Sequence, residues 1–238
     1  MLTEFLDRLL ELQRPETVEV HGRVYSTLGL NPVGQPMAEP VGVGTLTGLV
    51  DLYRSDLDNV RQQEVAIHVL SHECVRLIEL GVNPWGKRRV YVSAVHEGGK
   101  AFSFGQWMSP EQFIIGLQSM FYPTDDQKEL LSVCSTISAE TLSISEDDGV
   151  TQKATVGKSV AFKENKKIRP IVSLQPYRTF SDIEQPASNF LFRLHQSNDG
   201  KSVQCMLTEA DGGVWKQVAM QSIKDWFEQQ QLGLPIIA

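Results

Sequence analysis

The sequence predicts an α+β fold: antiparallel β-sheets with a helical hairpin in the middle and a C-terminal amphipathic helix. Three observations carry this. Apolar residues alternate at a period of two through 64–97 and again from 137 onward. Two helix-start signatures follow one another at Ser109-Pro110 and Thr124. Val218, Ile223, Trp226 and Phe227 recur at helical spacing near the C-terminus. A length of 238 residues allows one large domain or two small ones. The change of period places a boundary near 136, between an N-terminal α/β region (1–136) and a C-terminal antiparallel sheet plus helix (137–238). A single domain is the alternative.

Taken in order, Thr3 caps a helix expected to run to Arg14, with Leu2, Phe5, Leu6, Leu9 and Leu10 on one broad face and Pro15 as its stop. Val18, Val20 and Val24 alternate around His21-Gly22-Arg23 and predict a short hairpin. Residues 28–44, rich in Gly and Pro, read as a loop. A second helix starts near Thr45 and carries Leu46, Leu49, Val50 and Leu52, weakened by Gly48 by about 1 kcal/mol relative to Ala. Residues 56–63 are polar and turn-like. The β-branched content of 65–80 favours two strands joined at Ser71-His72-Glu73, and Arg89–Val95 adds a third to make a meander.

Ser109-Pro110-Glu111-Gln112 has a capping serine, a proline at the first helical position and a glutamine three residues after the cap. Phe113, Ile114, Leu117, Met120 and Phe121 follow on one side. Thr124-Asp125-Asp126-Gln127 repeats the signature, for a helix ending around Cys134. Leu142 and Ile144 lead into a turn at Glu146-Asp147-Asp148-Gly149, and strands are expected near 150–162, 169–174, 189–196 and 202–209. The last helix spans about Trp215 to Gln231 with Val218, Ile223, Trp226 and Phe227 inward. The apolar tail Leu232–Ala238 is expected to pack on a neighbouring element or a second subunit.

Hydrophobic residues at 41% and charged residues at 21% describe a globular chain. The net charge of −7 excludes an overall basic face of the kind that duplex-DNA binders present. The short clusters Lys87-Arg88-Arg89 and Lys163 to Arg169 read as solvated loop or strand edge. Cys74, Cys134 and Cys205 lack CxxC spacing and read as reduced core residues of a cytosolic protein. No apolar run is long enough for a membrane span, and the acidic start has no signal-peptide pattern.

Candidate chemistry is sparse. His68 and His72, with His96, would suit a metal-dependent hydrolase only if a helix set the first two on one face; on strands they stand too far apart, so no metal is expected. Asp147-Asp148-Gly149 and Asp199-Gly200 read as turns rather than calcium loops. Asp211-Gly212-Gly213 lies between a strand and a helix, where exposed N–H groups can hold an anion, or where a left-handed turn simply begins the helix. Tyr177-Arg178-Thr179-Phe180 and Phe190-Leu191-Phe192-Arg193 interleave aromatics with arginine, as a base-stacking surface would. The same pattern fits core strands with Arg178 and Arg193 on faces opposite the aromatics. No nucleophile, acid–base or P-loop template is present, so no catalytic residue, enzymatic activity or cofactor is expected. The ligand-binding candidates are Tyr177, Arg178, Arg193, Asp211, Gly212 and Gly213.

Gly44–Asp51, Asp148-Gly149-Val150-Thr151-Gln152, Pro176–Phe180, Gln185-Pro186, Phe190–Arg193 and Glu209–Trp215 together resemble a family of uncharacterised phage and prophage proteins of Gram-positive hosts. That family is distantly similar to a domain-of-unknown-function family with an enterobacterial prophage member. The resemblance covers most of the chain, most strongly 137–228, and transfers no catalytic residue. It implies a phage accessory protein in the cytoplasm of the bacterial host, encoded near recombination and replication functions. The function expected from it is non-enzymatic: binding a host protein or a small nucleotide signal to counter antiviral defence, as a homo-oligomer. The alternative is a recombination or replication accessory factor that binds single-stranded DNA through the aromatic–arginine surface.

Overall fold

A computed structural model describes residues 4–5, 16–20, 23–26, 37–83, 86–139, 141–147, 152–158, 162–167, 169–196 and 203–238. The chain forms two units. One comprises Met1–Ala38 with Val82–Lys87, the other Glu39–Gly81 with Arg88–Ala238.

In the smaller unit, β1 (Thr17–Val20) and β2 (Arg23–Ser26) pair antiparallel with Val20 opposite Arg23, as the valine alternation predicts. Of the helix expected over Thr3–Arg14, Glu4 and Phe5 are described, and both are helical. A turn closes from Lys87 N–H to the Asn83 carbonyl side-chain oxygen at 2.9 Å.

The larger unit opens with β3 (Val41–Val43), which overturns the loop expected for this stretch: it pairs parallel to β6. Helix α1 (Leu46–Arg54) follows, with Thr45 Oγ1 accepting from Gly48 N–H at 3.0 Å. A 3-10 segment (Leu57–Gln62) occupies the polar stretch after it, with Asp56, Asp58 and Asn59 left-handed. Strands β4 (Val65–Ser71), β5 (Cys74–Glu79) and β6 (Val90–Val95) form the expected meander.

Next come α2 (Pro110–Met120) and α3 (Asp125–Ala139). Both predicted caps form: Ser109 Oγ accepts from Gln112 N–H at 3.3 Å and Thr124 Oγ1 from Gln127 N–H at 3.1 Å. Buried Gln127 then donates to the Leu117 carbonyl at 2.7 Å and ties the hairpin together. α3 runs a turn beyond its expected end at Cys134.

Strands β7 (Thr141–Asp147), β8 (Gln152–Lys158) and β9 (Phe162–Lys167) make one antiparallel sheet, and β10 (Ile171–Leu174), β11 (Ser188–Gln196) and β12 (Val203–Glu209) another. The turns expected at Asp148-Gly149 and Asn198-Asp199-Gly200 lie outside the described residues. α4 (Trp215–Gln229) buries Trp215, Ala219, Ile223 and Phe227. This corrects the expected face: Val218 is 47% exposed, because a strict i, i+4 row from Trp215 passes beside it. The tail packs on a neighbouring element of the same chain. Its β13 (Ile236–Ile237) adds to the first sheet parallel to β4, giving the order β13-β4-β5-β6-β3 with parallel pairs at both edges.

Two cores result. The first packs the α2–α3 hairpin (Phe113, Leu117, Leu130, Cys134), with Phe102 and Phe121, on β10–β12 through Val172, Leu174, Phe190, Phe192, Leu194, Cys205 and Leu207. The second joins α1, β4–β6 and α4, and receives Phe180 from the segment between β10 and β11. Both cores draw residues from either side of position 136. The first core is built within an excursion of the chain between β6 and α4. That excursion is tied at its neck, where Gly105 N–H donates to the Leu207 carbonyl at 2.8 Å and Met108 exchanges two backbone bonds with Cys205.

Candidate functional site

The segment 176–188 holds most of the residues that the sequence singled out, and it works as a strap between the two cores. Buried Gln185 fixes its curvature: Oε1 accepts from Arg178 and Thr179 N–H, and Nε2 donates to the Thr179 and Phe180 carbonyls at 3.3 and 3.1 Å. Thr179 Oγ1 donates to the His72 carbonyl at 2.5 Å. Asp182 receives Leu46 N–H, Thr47 N–H and the Thr47 hydroxyl at 3.2, 3.0 and 2.6 Å, so a carboxylate from the strap caps α1, the favourable end for a negative charge.

Arg178 is the centre of this arrangement, and its position corrects the expectation that it faces away from the aromatics. Its Cζ lies 3.7 Å from the centroid of the Trp215 ring and 5.7 Å from that of Phe190. Nη1 pairs with the Glu209 carboxylate, and Nη2 donates to the Ser188 hydroxyl. The side chain is 12% exposed. Burial lowers its pKa, against the opposing pull of Glu209 and Asp211. His72 stands edge-on to Trp215 with ring centroids 4.6 Å apart; burial lowers its pKa, partly offset by the neighbouring Glu73.

Gly212 (φ +64°) and Gly213 (φ +81°) are both left-handed, which is the turn reading of that motif. Asp211 Oδ1 accepts from Gly213 N–H at 3.0 Å. Burial pushes the Asp211 carboxyl up, but hydrogen bonds from Ser188 and Gly213 and the charge of Arg178 outweigh it and hold the group below its ordinary value. That bond closes the turn ahead of α4, whose own N-cap, Val214, has no side-chain hydrogen bond. The structure therefore brings Arg178, Asp211 and Gly213 together with Ser188, Glu209 and Trp215 as a stacked ion-pair knot. Tyr177 is 51% exposed beside the Phe121–Pro176 bridge, and Arg193 sits on the other face of β11 from buried Phe190 and Phe192.

His96 lies near enough to His72 to act on it electrostatically, but His68 does not join them. His68 is opposite Arg76 in the β4–β5 pair, and His96 packs its ring 5.8 Å from that of Phe180. Among the described residues no group of three or more His, Cys, Asp or Glu is arranged to hold a metal ion.

A groove that the sequence did not reveal lies between residues 100–108 and α2, with a volume of about 420 Å³. That is within the usual ~300–1,000 Å³ of small-molecule sites. Phe102, Met108, Gly116 and Met120 line it together with Ser103, Gln106 and Gln112; Trp107 and Ile115 stand 41% and 57% exposed. Lys100 is its charged lining residue. Backbone bonds flank its indole. Gly105 (φ +71°) and the Met108–Cys205 bonds fix the backbone on either side of Trp107, and the indole rests 5.4 Å from the His195 ring. Phe102 packs on bare Gly116, where a Cβ would come within 2.7 Å of the ring. Residues 98–108 lack periodicity and are punctuated by glycine, so neither helix nor strand reasoning reaches them. The available signal was Phe102, Phe104 and Trp107 crowded together just before the strongest helix cap in the chain.

No protein-family model, curated protein or solved structure matches the chain.

Proposed function

We propose that this is a non-enzymatic phage accessory protein that captures a small nucleotide signal in the groove beside α2, and so blunts antiviral defence in the bacterial cytoplasm. One observation carries the reading: Trp107, 41% exposed and flanked by backbone bonds to β12, lies in a groove whose charged lining residue is a lysine. An indole face supports a nucleobase, an ammonium group attracts phosphate, and Gln106 and Gln112 offer donors and acceptors to base edges. A preformed site avoids the ordering cost of binding. Arg178 and Asp211, engaged with each other's neighbours, serve the scaffold rather than the ligand. The reading includes a homo-oligomer, which light scattering on the eluting protein tests directly.

Calorimetric titration with a panel of linear and cyclic mono- and dinucleotides tests the capture. Binding of at least one member is expected, weakened tenfold or more by Trp107→Ala and several-fold by Lys100→Ala. Absence of binding across the panel at millimolar concentration, or binding indifferent to both substitutions, refutes it. Recovery of a host protein instead, by a Trp107-dependent pull-down from infected cells, would replace the nucleotide with a protein occupant.

A further inference from the structure

Cys134 of α3 and Cys205 of β12 face each other inside the first core. Both are fully buried, and their sulfurs lie 3.9 Å apart, one thiol hydrogen-bonded to the other. The other buried side chains of this core are phenylalanine, leucine and valine. A single buried cysteine packs as a small hydrophobe. Two whose sulfurs meet between a helix and a sheet have a further option, because a disulfide requires them only about 2 Å closer. Cys74, the third cysteine, is half-buried in β5 of the five-stranded sheet, opposite Val95.

The pair also occupies a mechanically significant place. Cys205 belongs to the neck: its N–H donates to the Met108 carbonyl at 2.9 Å, and its carbonyl accepts from Met108 N–H at 3.0 Å. A bridge to Cys134 would tie α3 to that neck and close a loop between residues 71 positions apart. A link of that reach restricts the unfolded chain strongly.

We propose that Cys134 and Cys205 are a redox-responsive pair that closes to an intramolecular disulfide under hydroperoxide and reopens under a thiol reductant. One cysteine sulfur attacks a peroxide oxygen and breaks the O–O bond, giving a sulfenic acid and water. The second sulfur then attacks the first, forms the S–S bond and expels the hydroxyl as water. Two thiols are oxidised and one hydrogen peroxide is reduced to two waters. The mutual hydrogen bond and then burial push the Cys134 thiol well above its ordinary range, so the attacking thiolate forms only when the core opens locally. The pair therefore responds to sustained oxidation and not to a brief pulse.

Folded protein is incubated with hydrogen peroxide, then unfolded in an alkylating reagent and mapped by peptide mass spectrometry. The chain should fall from three alkylatable thiols to one, at Cys74, with a cross-linked peptide joining Cys134 to Cys205. Cys74→Ser should form the same link and retain no thiol. The oxidised protein should melt about 5–10 °C higher and return to its starting value with dithiothreitol. In urea the preference should vanish, because Cys74 and Cys134 are only 60 positions apart against 71 for the proposed pair. Three thiols surviving prolonged peroxide, a link that involves Cys74, or over-oxidation of Cys134 or Cys205 without a link overturns the proposal. So does an equal yield of the link in urea, or a melting temperature that is unchanged or lower once the link has formed.

Discussion

Replacing Arg178 with alanine should unfold this protein more readily without touching the groove. The substitution removes the partner of Glu209 and Ser188 and uncovers the Trp215 face. Breaking a fully buried pair costs about 3–5 kcal/mol. Here Glu209 is 35% exposed and can rehydrate, which reduces that share to about 2 kcal/mol. Loss of the guanidinium stacked at 3.7 Å on the indole adds about 1 kcal/mol. The sum, about 3 kcal/mol, should lower the melting temperature by roughly 6–12 °C in a chain of this size. Urea denaturation followed by tryptophan fluorescence reads the change as a shifted midpoint. Arg178→Lys retains the charge but not the planar fork and should lose about half as much. Arg178→Met combined with Glu209→Gln removes both charges of the pair and should fall between wild type and Arg178→Ala. A loss below 1 kcal/mol for Arg178→Ala is the value of a solvent-exposed pair, and it would refute the stacked-knot account.

Gly116→Ala gains about 1 kcal/mol of helix propensity but drives a methyl into Phe102. That ring is hemmed in by Phe104, Phe113 and Phe121, with centroids 5.1 to 5.7 Å away, so the expected net is a loss of about 1 kcal/mol with weakened groove binding; a stabilised variant with intact binding would contradict the packing. Asp182→Ala removes the acceptor at the start of α1 and should cost about 1–2 kcal/mol in denaturant unfolding, whereas Asp182→Asn, which keeps an oxygen there, should cost less. His72, with its folded pKa lowered below 6.5, makes a contribution present in full above about pH 6.5 that declines as pH falls through the folded value, since the unfolded chain takes up the proton first. Stability measured at pH 7.5 and pH 5.5 should therefore differ more in wild type than in His72→Phe; equal differences would remove His72 from the account.

Much of the fold was legible where the signal is local. Ser109 and Thr124 each place a hydroxyl three residues before the N–H it accepts from, and both caps form. The β4–β6 meander was legible from β-branched alternation. What escaped has a non-local cause. Val41-Gly42-Val43 is too short to show a period and becomes a strand only because β6 offers an edge. The polar Phe162–Lys167 becomes a strand only by pairing with β8. In the candidate region, Tyr177–Phe180 looks like an alternating strand, but the Gln185 amide bends it into a strap that turns Arg178 onto Trp215, a partner 37 residues later in the sequence. Four of the six stretches that suggested a phage-protein resemblance, Gly44–Asp51, Pro176–Phe180, Gln185-Pro186 and Glu209–Trp215, meet around this strap. They mark a joint in the architecture more than a surface for ligands.

The tie between Gly105–Met108 and Cys205–Leu207 bears on the order in which the molecule assembles. α4 and β13 must find a sheet whose last strand ended about 120 residues earlier, a closure that costs about 4 kcal/mol in chain entropy. Once the neck has formed, the intervening excursion counts as a short connector of roughly 20 residues, and closure costs about 1.5 kcal/mol less. Assembly of the aromatic hairpin core first would thus speed docking of the C-terminal helix roughly tenfold. A defect at Met108 or Cys205 would surface as slow maturation of a sheet to which neither residue belongs.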